Sequence, residues 1–207
     1  MARTDANLRN TAAARTEVSS RTGGVYNSGF ELFPRDVATT GNAWIGTASA
    51  TYSGWWSIRL ATAHSSEFDT SEKHSGDASL LLQTTDATGK MLASNCTSAS
   101  LASLQEGAKI INSSTAYELS FWIKTNNVPT DAAFGQIVQY DSAAVVGTTT
   151  TSTKYSGTND WFKVTMSFTS DADAYFLRIN LYYNVAGNVG QIWFDDIHLI
   201  AVRSEIA

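Results

Sequence analysis

The sequence has one cysteine, Cys96, which excludes an internal disulfide and a cysteine-based metal cluster. A lone thiol also needs a base partner to act as a nucleophile, and Ser-Asn-Cys-Thr-Ser around Cys96 supplies none. Charge is scarce: Asp, Glu, Lys and Arg make up 16% of residues, and the net charge is −5. There is no Lys/Arg run, so the electrostatic footprint of a nucleic-acid binder is missing. No apolar stretch approaches membrane-spanning length, and residues 1–8 contain no apolar leader core. Catalytic signatures are missing too: there is no Gly-x-Ser-x-Gly elbow, no His-Glu-x-x-His pair and no phosphate loop. His64, His74 and His198 match no standard metal spacing. His64 and His74 fall in a polar stretch, residues 62–77, that reads as a solvated loop, and His198 reads as outward-facing on a last strand.

What remains is aromatic and β-prone. Six Trp, eight Tyr and nine Phe are spread along a chain rich in Ser, Thr, Gly and Ala. Alternation of apolar and polar residues predicts strands over Ser57–Ala61, Leu80–Gln83, Tyr117–Thr125, Trp161–Thr169, Tyr175–Tyr183 and Gln191–Val202. Ala133–Tyr140 and Val145–Thr153 pair as a hairpin across Asp141-Ser142-Ala143, and a first strand is expected over Val25–Phe33, stopped by Pro34. No segment carries a helical stripe. About ten strands at regular spacing predict a two-sheet antiparallel sandwich, all-β and of jelly-roll type, over residues 25–207.

Residues 1–24 are different in kind. They are rich in Ala, Thr, Arg and Asn, and Arg3, Arg9, Arg15 and Arg21 recur at a spacing of six. An arm with so few large apolar side chains cannot bury itself on its own domain. It is expected to be extended and to lie on a neighbouring subunit, which implies a homo-oligomer or a larger assembly. Gly23-Gly24 marks the hinge into the domain.

Three segments frame that domain: Asn27-Ser28-Gly29-Phe30-Glu31, His74-Ser75-Gly76-Asp77-Ala78-Ser79-Leu80, and Trp193-Phe194-Asp195-Asp196-Ile197-His198-Leu199. In that order they resemble the carbohydrate-binding modules of families 4, 9 and 22, within the galactose-binding-like jelly rolls, over residues 25–202. The resemblance implies one structural calcium ion joining the first strand, the middle turn and the last strand. Its carboxylates would be Glu31 and Asp195, with carbonyls from the Lys73–Asp77 turn; oxygen donors of this kind suit calcium. Asp195 shares the alternation phase of Ile197 and Leu199, so it is expected to be buried and to need a cation or donors. The plainer reading is that both carboxylates accept backbone hydrogen bonds, and Lys73 could stand in for the ion by pairing with Asp195.

The resemblance also implies a ligand face on one sheet. Trp122, Arg178, Asn180 and Tyr182 all fall on the non-core phase of their strands, and Tyr140 with Gln136 or Gln139 joins them. Flat rings stack on the C–H faces of sugars, while amides and Arg bind hydroxyls. Exposed rings serve subunit interfaces equally well. Of the adjacent pair Trp55-Trp56, one is expected in the core. The expected function is a non-catalytic virion protein (a capsid decoration, head-fibre or tail component) that displays a carbohydrate-binding-like domain to host or extracellular polysaccharide. Its setting would be outside the cell after lysis, without membrane insertion. The alternative is a binding module from a secreted bacterial glycoside hydrolase.

Overall fold

The computed structural model describes residues 25, 29–31, 43–45, 54–59, 64–84, 89–96, 108–184 and 189–202. The expected arm, residues 1–24, lies outside them, as do Asn27 and Ser28. Every regular element among the described residues is a strand, and no helix long and apolar enough to cross a membrane occurs there. The strands are β1 (Ala43–Trp44), β2 (Trp56–Arg59), β3 (His64–Asp69), β4 (Ser79–Thr84), β5 (Lys90–Ser94), β6 (Lys109–Ile110), β7 (Ala116–Tyr140), β8 (Val146–Thr151), β9 (Tyr155–Thr169), β10 (Phe176–Asn184) and β11 (Gln191–Ala201).

Among the described residues all strand pairings are antiparallel, along the path β1-β2-β5-β10-β7-β11-β4-β3, with β8 and β9 also on β7 and β6 on β10. The path folds into two layers because β7 belongs to both. Its first half, Tyr117 to Asn126, pairs with β11 and with β9, the β9 contact continuing with shifts through Val128 to Ala133; its second half, Ala133–Tyr140, pairs with β10, and from Gln136 with β8. The sequence predicted two strands here, 117–125 and 133–140. The structure runs one through both, turning at Asn127 (φ 53°) and Asp131 (φ 57°), residue types that tolerate the left-handed region. Pro129 sits between them, at a point where the β9 register is interrupted and no ladder donor is required. The hairpin from Ala133–Tyr140 into β8 forms as expected, with Gln136 opposite Thr151 and Tyr140 opposite Val146.

The core lies between the layers. Leu119, Phe121 and Ile123 of β7, Ile192 and Phe194 of β11, and Leu177, Ile179 and Leu181 of β10 are all fully buried. Each such side chain contributes on the order of 1.5–3 kcal/mol through burial. Between the layers the Phe121 ring sits on Gly135: a Cβ there would lie 2.6 Å from Phe121 Cε1. Trp55 is in the core, 5.6 Å from the Phe30 ring, and Trp56 is half-buried, so one of the pair is core as the alternation required.

Three local expectations fail. Residues 64–69 form strand β3, paired along its length with β4, and His64 is 1% exposed with Nδ1 2.7 Å from Thr84 Oγ1, so it is not a solvated loop residue. His74 is also engaged, as described below. Of the predicted first strand, Val25 and Gly29–Glu31 are described and none is extended ladder; Phe30 has φ 57°.

Candidate functional site

The face of the β2-β5-β10-β7-β8 layer that points away from the core is built in cross-strand rows. One row runs Thr151, Gln136, Asn180, Ser94, Trp56 across five strands. The next runs Phe134, Tyr182, Leu92, Ile58. Beyond the first row lie Val138 with Arg178, then Tyr140 with Phe176. Four of the five residues expected to bind ligand, Arg178, Asn180, Tyr182 and Tyr140, therefore share this face. Gln136 joins them. Gln139 does not: it is fully buried in the opposite phase, where Oε1 accepts from Asp171 N at 2.8 Å.

The rows differ in accessibility. Tyr140 is 2% exposed, stacked on Phe176 at 4.9 Å, in a small apolar cluster with Cys96, Ala108 and Val138. It closes one end of the face rather than offering its ring to solvent. Tyr182 is half-buried and stacks on Phe134 at 4.7 Å and 12° between planes, forming a flat aromatic pair. Arg178 holds its guanidinium 5.7 Å from the Tyr140 centroid, and Lys154 places Nζ 5.3 Å from that of Phe134. Burial raises the phenols of Tyr140 and Tyr182, opposed in both by the Arg178 charge, so both remain neutral donors at physiological pH.

Asn180 lies at the bottom, fully buried, donating to Gln136 Oε1 at 3.4 Å. Among the described residues its Oδ1 has no hydrogen-bond partner, and neither does the buried Nε of Arg178 on the same strand. An orphaned acceptor and an orphaned donor two residues apart, beside an aromatic pair, cost stability unless something completes them.

Trp122 is elsewhere. It lies on the first half of β7, between Asp195 of β11 and Lys163 of β9, on the outer face of the other layer. The His74 ring stacks on it at 3.6 Å, and Trp161 meets His74 edge-on at 5.9 Å. Alternation phase gave Trp122 the same outward sense as Tyr182, but outward from opposite layers is opposite sides of the molecule. Trp122 anchors the 72–78 turn.

That turn is where the framing segments meet. Asp195 Oδ2 accepts from His74 N (2.9 Å) and Ser75 N (3.1 Å), and its Oδ1 from Asp196 N (2.8 Å). Glu31 accepts from Asp77 N, at 2.8 and 2.9 Å, and from Ala78 N at 3.4 Å. Asp196 accepts from Ser75 Oγ at 2.8 Å, and its Oδ2 lies 2.8 Å from His74 Nδ1. The turn thus presents N–H groups to the carboxylates where carbonyls were expected. Lys73 donates to Thr70 O at 2.8 Å and does not pair with Asp195. Asp195 is fully buried as expected, but for a different reason. A bulge at Asp196 (φ 47°) shifts the register, so Phe194 and Ile197 both face the core while Asp195 pairs with Trp122 on the outer side, covered by the turn.

Burial pushes the Asp195 carboxyl up to about 7; the neighbouring Asp196 charge adds to this, and the amides of Ser75, Asp196 and His74 oppose it. Among the described residues no cationic side chain pairs with it, and no group of three or more His, Cys, Asp or Glu is placed to hold a metal ion.

A two-layer antiparallel sandwich of this kind is an architecture that carbohydrate-binding modules share with proteins of other function. Residues 36–199 match the family model CBM_4_9_1, described as BppA domain 1, and the chain belongs to that family. No curated protein matches it in sequence. Among solved structures the chain is similar to the enzymatically active domain of tailspike protein 4 of bacteriophage CBA120 (13% identity, TM-score 0.55), over 73% of this chain and 20% of that one. It is likewise similar to a cyclase from Fischerella sp. TAU (14% identity, 86% and 96% covered, TM-score 0.55) and to a family 4 carbohydrate-binding module (14% identity, 86% and 99% covered, TM-score 0.51). At these identities the likeness is one of fold. The chain spans a fifth of the tailspike domain it matches.

Phe134 and the His74–Asp196 pair were missed by sequence reading. Phe134 was legible, since it shares the phase of Gln136 and Tyr140. The His74–Asp196 contact joins residues 122 positions apart and leaves no local signal.

Proposed function

We propose that the chain is a non-catalytic module that binds polysaccharide on the outer face of the β2-β5-β10-β7-β8 layer. The observation that carries this is the Phe134–Tyr182 stack with the Arg178 side chain on the same face. A sugar offers a C–H face for the partly exposed Tyr182 ring and oxygens that accept from the Arg178 guanidinium, while Asn180, fully buried beneath, donates to Gln136 and holds it in place. Membership of a carbohydrate-binding-module family supports the same reading. The test is binding of the whole chain to a panel of soluble polysaccharides by affinity electrophoresis. Tyr182→Ala and Arg178→Ala are each expected to weaken retention about tenfold or more, a loss of about 1.4 kcal/mol. Trp122→Phe is expected to leave it unchanged. Retention indifferent to both face variants, or no retention by any polysaccharide, defeats the reading.

The same proposal includes a calcium ion held by Glu31 and Asp195. In its favour is a fully buried carboxylate with no cationic partner among the described residues, next to a second carboxylate on the same turn. Such an ion would add charge neutralisation to a staple already made by hydrogen bonds.

The setting we propose is a virion, outside the cell after lysis, with residues 1–24 anchoring the module to other subunits. The composition of that segment, poor in large apolar side chains, supports an arm that finds its partner elsewhere. Removing residues 1–24 is expected to leave polysaccharide binding intact and to dissociate the oligomer in sedimentation velocity. Identical sedimentation of the oligomer with and without the arm would count against it.

A further inference from the structure

On the side of the molecule opposite Tyr182, the outer face of the β9-β7-β11-β4 layer opens into a cleft of about 470 Å³. We propose that this cleft is a second carbohydrate site, selective for a neutral pyranose, and independent of the face proposed above.

Beneath it lies Trp193, only 5% exposed and covered by Lys124; the indole N–H donates to Asp69 Oδ2 at 2.7 Å and is thereby fixed in orientation. Burial pushes Asp69 up, but bonds from Ser71, Trp193 and Glu72 outweigh it and hold the carboxyl below its ordinary range. It is therefore an ionised acceptor for the indole at neutral pH. Lys124, opposite Trp193 on β7, holds Nζ 6.0 Å from the ring and 2.7 Å from Glu72 Oε2. Three amides complete the walls. Asn126 donates to Gln191 Oε1 at 3.2 Å, and Gln191 donates on to Gln83 Oε1 at 3.3 Å. Asn159 donates from both its backbone N (3.2 Å) and its Nδ2 (2.9 Å) to Thr125 Oγ1.

These bonds fix the amides before any ligand arrives, which limits the ordering cost of binding. Among the described residues they leave the Asn126 Oδ1 acceptor open, and Lys124, held by Glu72 at 2.7 Å and lying 3.9 Å from Asp160 Oδ1, keeps one donor to spare at the cleft wall. A hydroxyl group matches both, because each both donates and accepts. The volume lies in the range of small-ligand sites, and amide walls suit a ring with polar edges. Charge selects among rings. Glu72 and Asp160 against Lys124 give the lining −2 + 1 = −1, which disfavours an anionic sugar. The Tyr182 face differs: its neighbouring charges are Arg178 and Lys154, both positive.

The experiment is a titration of isotopically labelled protein with methyl β-D-glucopyranoside and, separately, with glucuronate, followed by amide chemical shifts. The glucoside is expected to move the amides of residues 124–126, 158–160 and 191–193 with millimolar affinity, and to do so equally in the Tyr182→Ala protein. Asn126→Ala combined with Gln191→Ala, both at partly or fully exposed positions, is expected to weaken these shifts roughly tenfold with an unchanged melting temperature. Glucuronate is expected to leave the cleft amides still. The proposal is overturned by cleft amides that stay put with the glucoside, by shifts that vanish in Tyr182→Ala, or by equal shifts with glucuronate. Failure at the cleft with binding retained at the Tyr182 face would remove this second site alone.

Discussion

Replacing Gly76 with alanine is expected to lower the melting temperature by about 10 °C, well beyond what the loss of a flexible residue explains. Gly76 has φ +60°, and a Cβ there would collide with Glu31 Oε1. Two costs add. An alanine in the left-handed region is strained by about 1–2 kcal/mol. In addition, the Glu31 carboxylate must leave the Asp77 and Ala78 amides, and charge-assisted bonds of this kind contribute about 1.5–3 kcal/mol. The sum, about 2.5–5 kcal/mol, corresponds to a shift of roughly 10 °C for a chain of this size. Gly157 supplies the control. It has φ +78° with nothing within 4 Å of its would-be Cβ, so Gly157→Ala should carry the backbone strain alone. The difference between the two variants in thermal unfolding measures the Glu31 staple. Equal losses would mean that Glu31 holds nothing.

The second large effect is a pH dependence of unusual sign. The Asp195 carboxyl sits at about 7 in the folded protein, against an ordinary value of 3.8. The native state therefore holds a proton that the unfolded chain has already released between about pH 4 and pH 7. Stability must fall as pH rises through that window, and then stay level. A shift of about three units sets an upper bound of roughly 4 kcal/mol on the fall. Asp69, held low, acts in the opposite sense and only below about pH 4, so the two windows are separable. Calcium would reverse the trend, because it favours the ionised carboxylate. In chelator, urea midpoints are expected to be higher at pH 4.5 than at pH 7.5. Millimolar calcium should restore the loss at pH 7.5 and do little at pH 4.5. Asp195→Asn should flatten the profile and abolish the response to calcium. Midpoints that ignore calcium at pH 7.5 would sink the metal proposal, and midpoints that climb from pH 4.5 to 7.5 in chelator would sink the buried acid.

These two effects show where sequence reading ends. Alternation along Trp161–Thr169 and Gln191–Val202 is a local property with a period of two, so strands and their faces are legible there without the fold. The hairpin after Ala133 is equally local. The Asp195 face was misassigned because a bulge at Asp196 adds one residue and resets the phase, and no single-residue signal marks it. Trp122 and Tyr182 shared an outward phase in sequence. Only the passage of β7 from one layer to the other put them on opposite sides.

The amino-acid sequence by itself determined the all-β sandwich and the inward and outward faces of most strands, which follow from short-range periodicity. The meeting of the Glu31, Gly76 and Asp195 segments was implied by the resemblance to a known family, not by any local pattern. The tertiary structure decided the chemistry. Amides rather than carbonyls meet the two carboxylates, the turn rather than the core buries Asp195, and Asn180 and Arg178 are left with unmatched atoms. Hydrogen-bond partners across gaps of 46 to 122 residues are set by packing geometry, which no local pattern encodes.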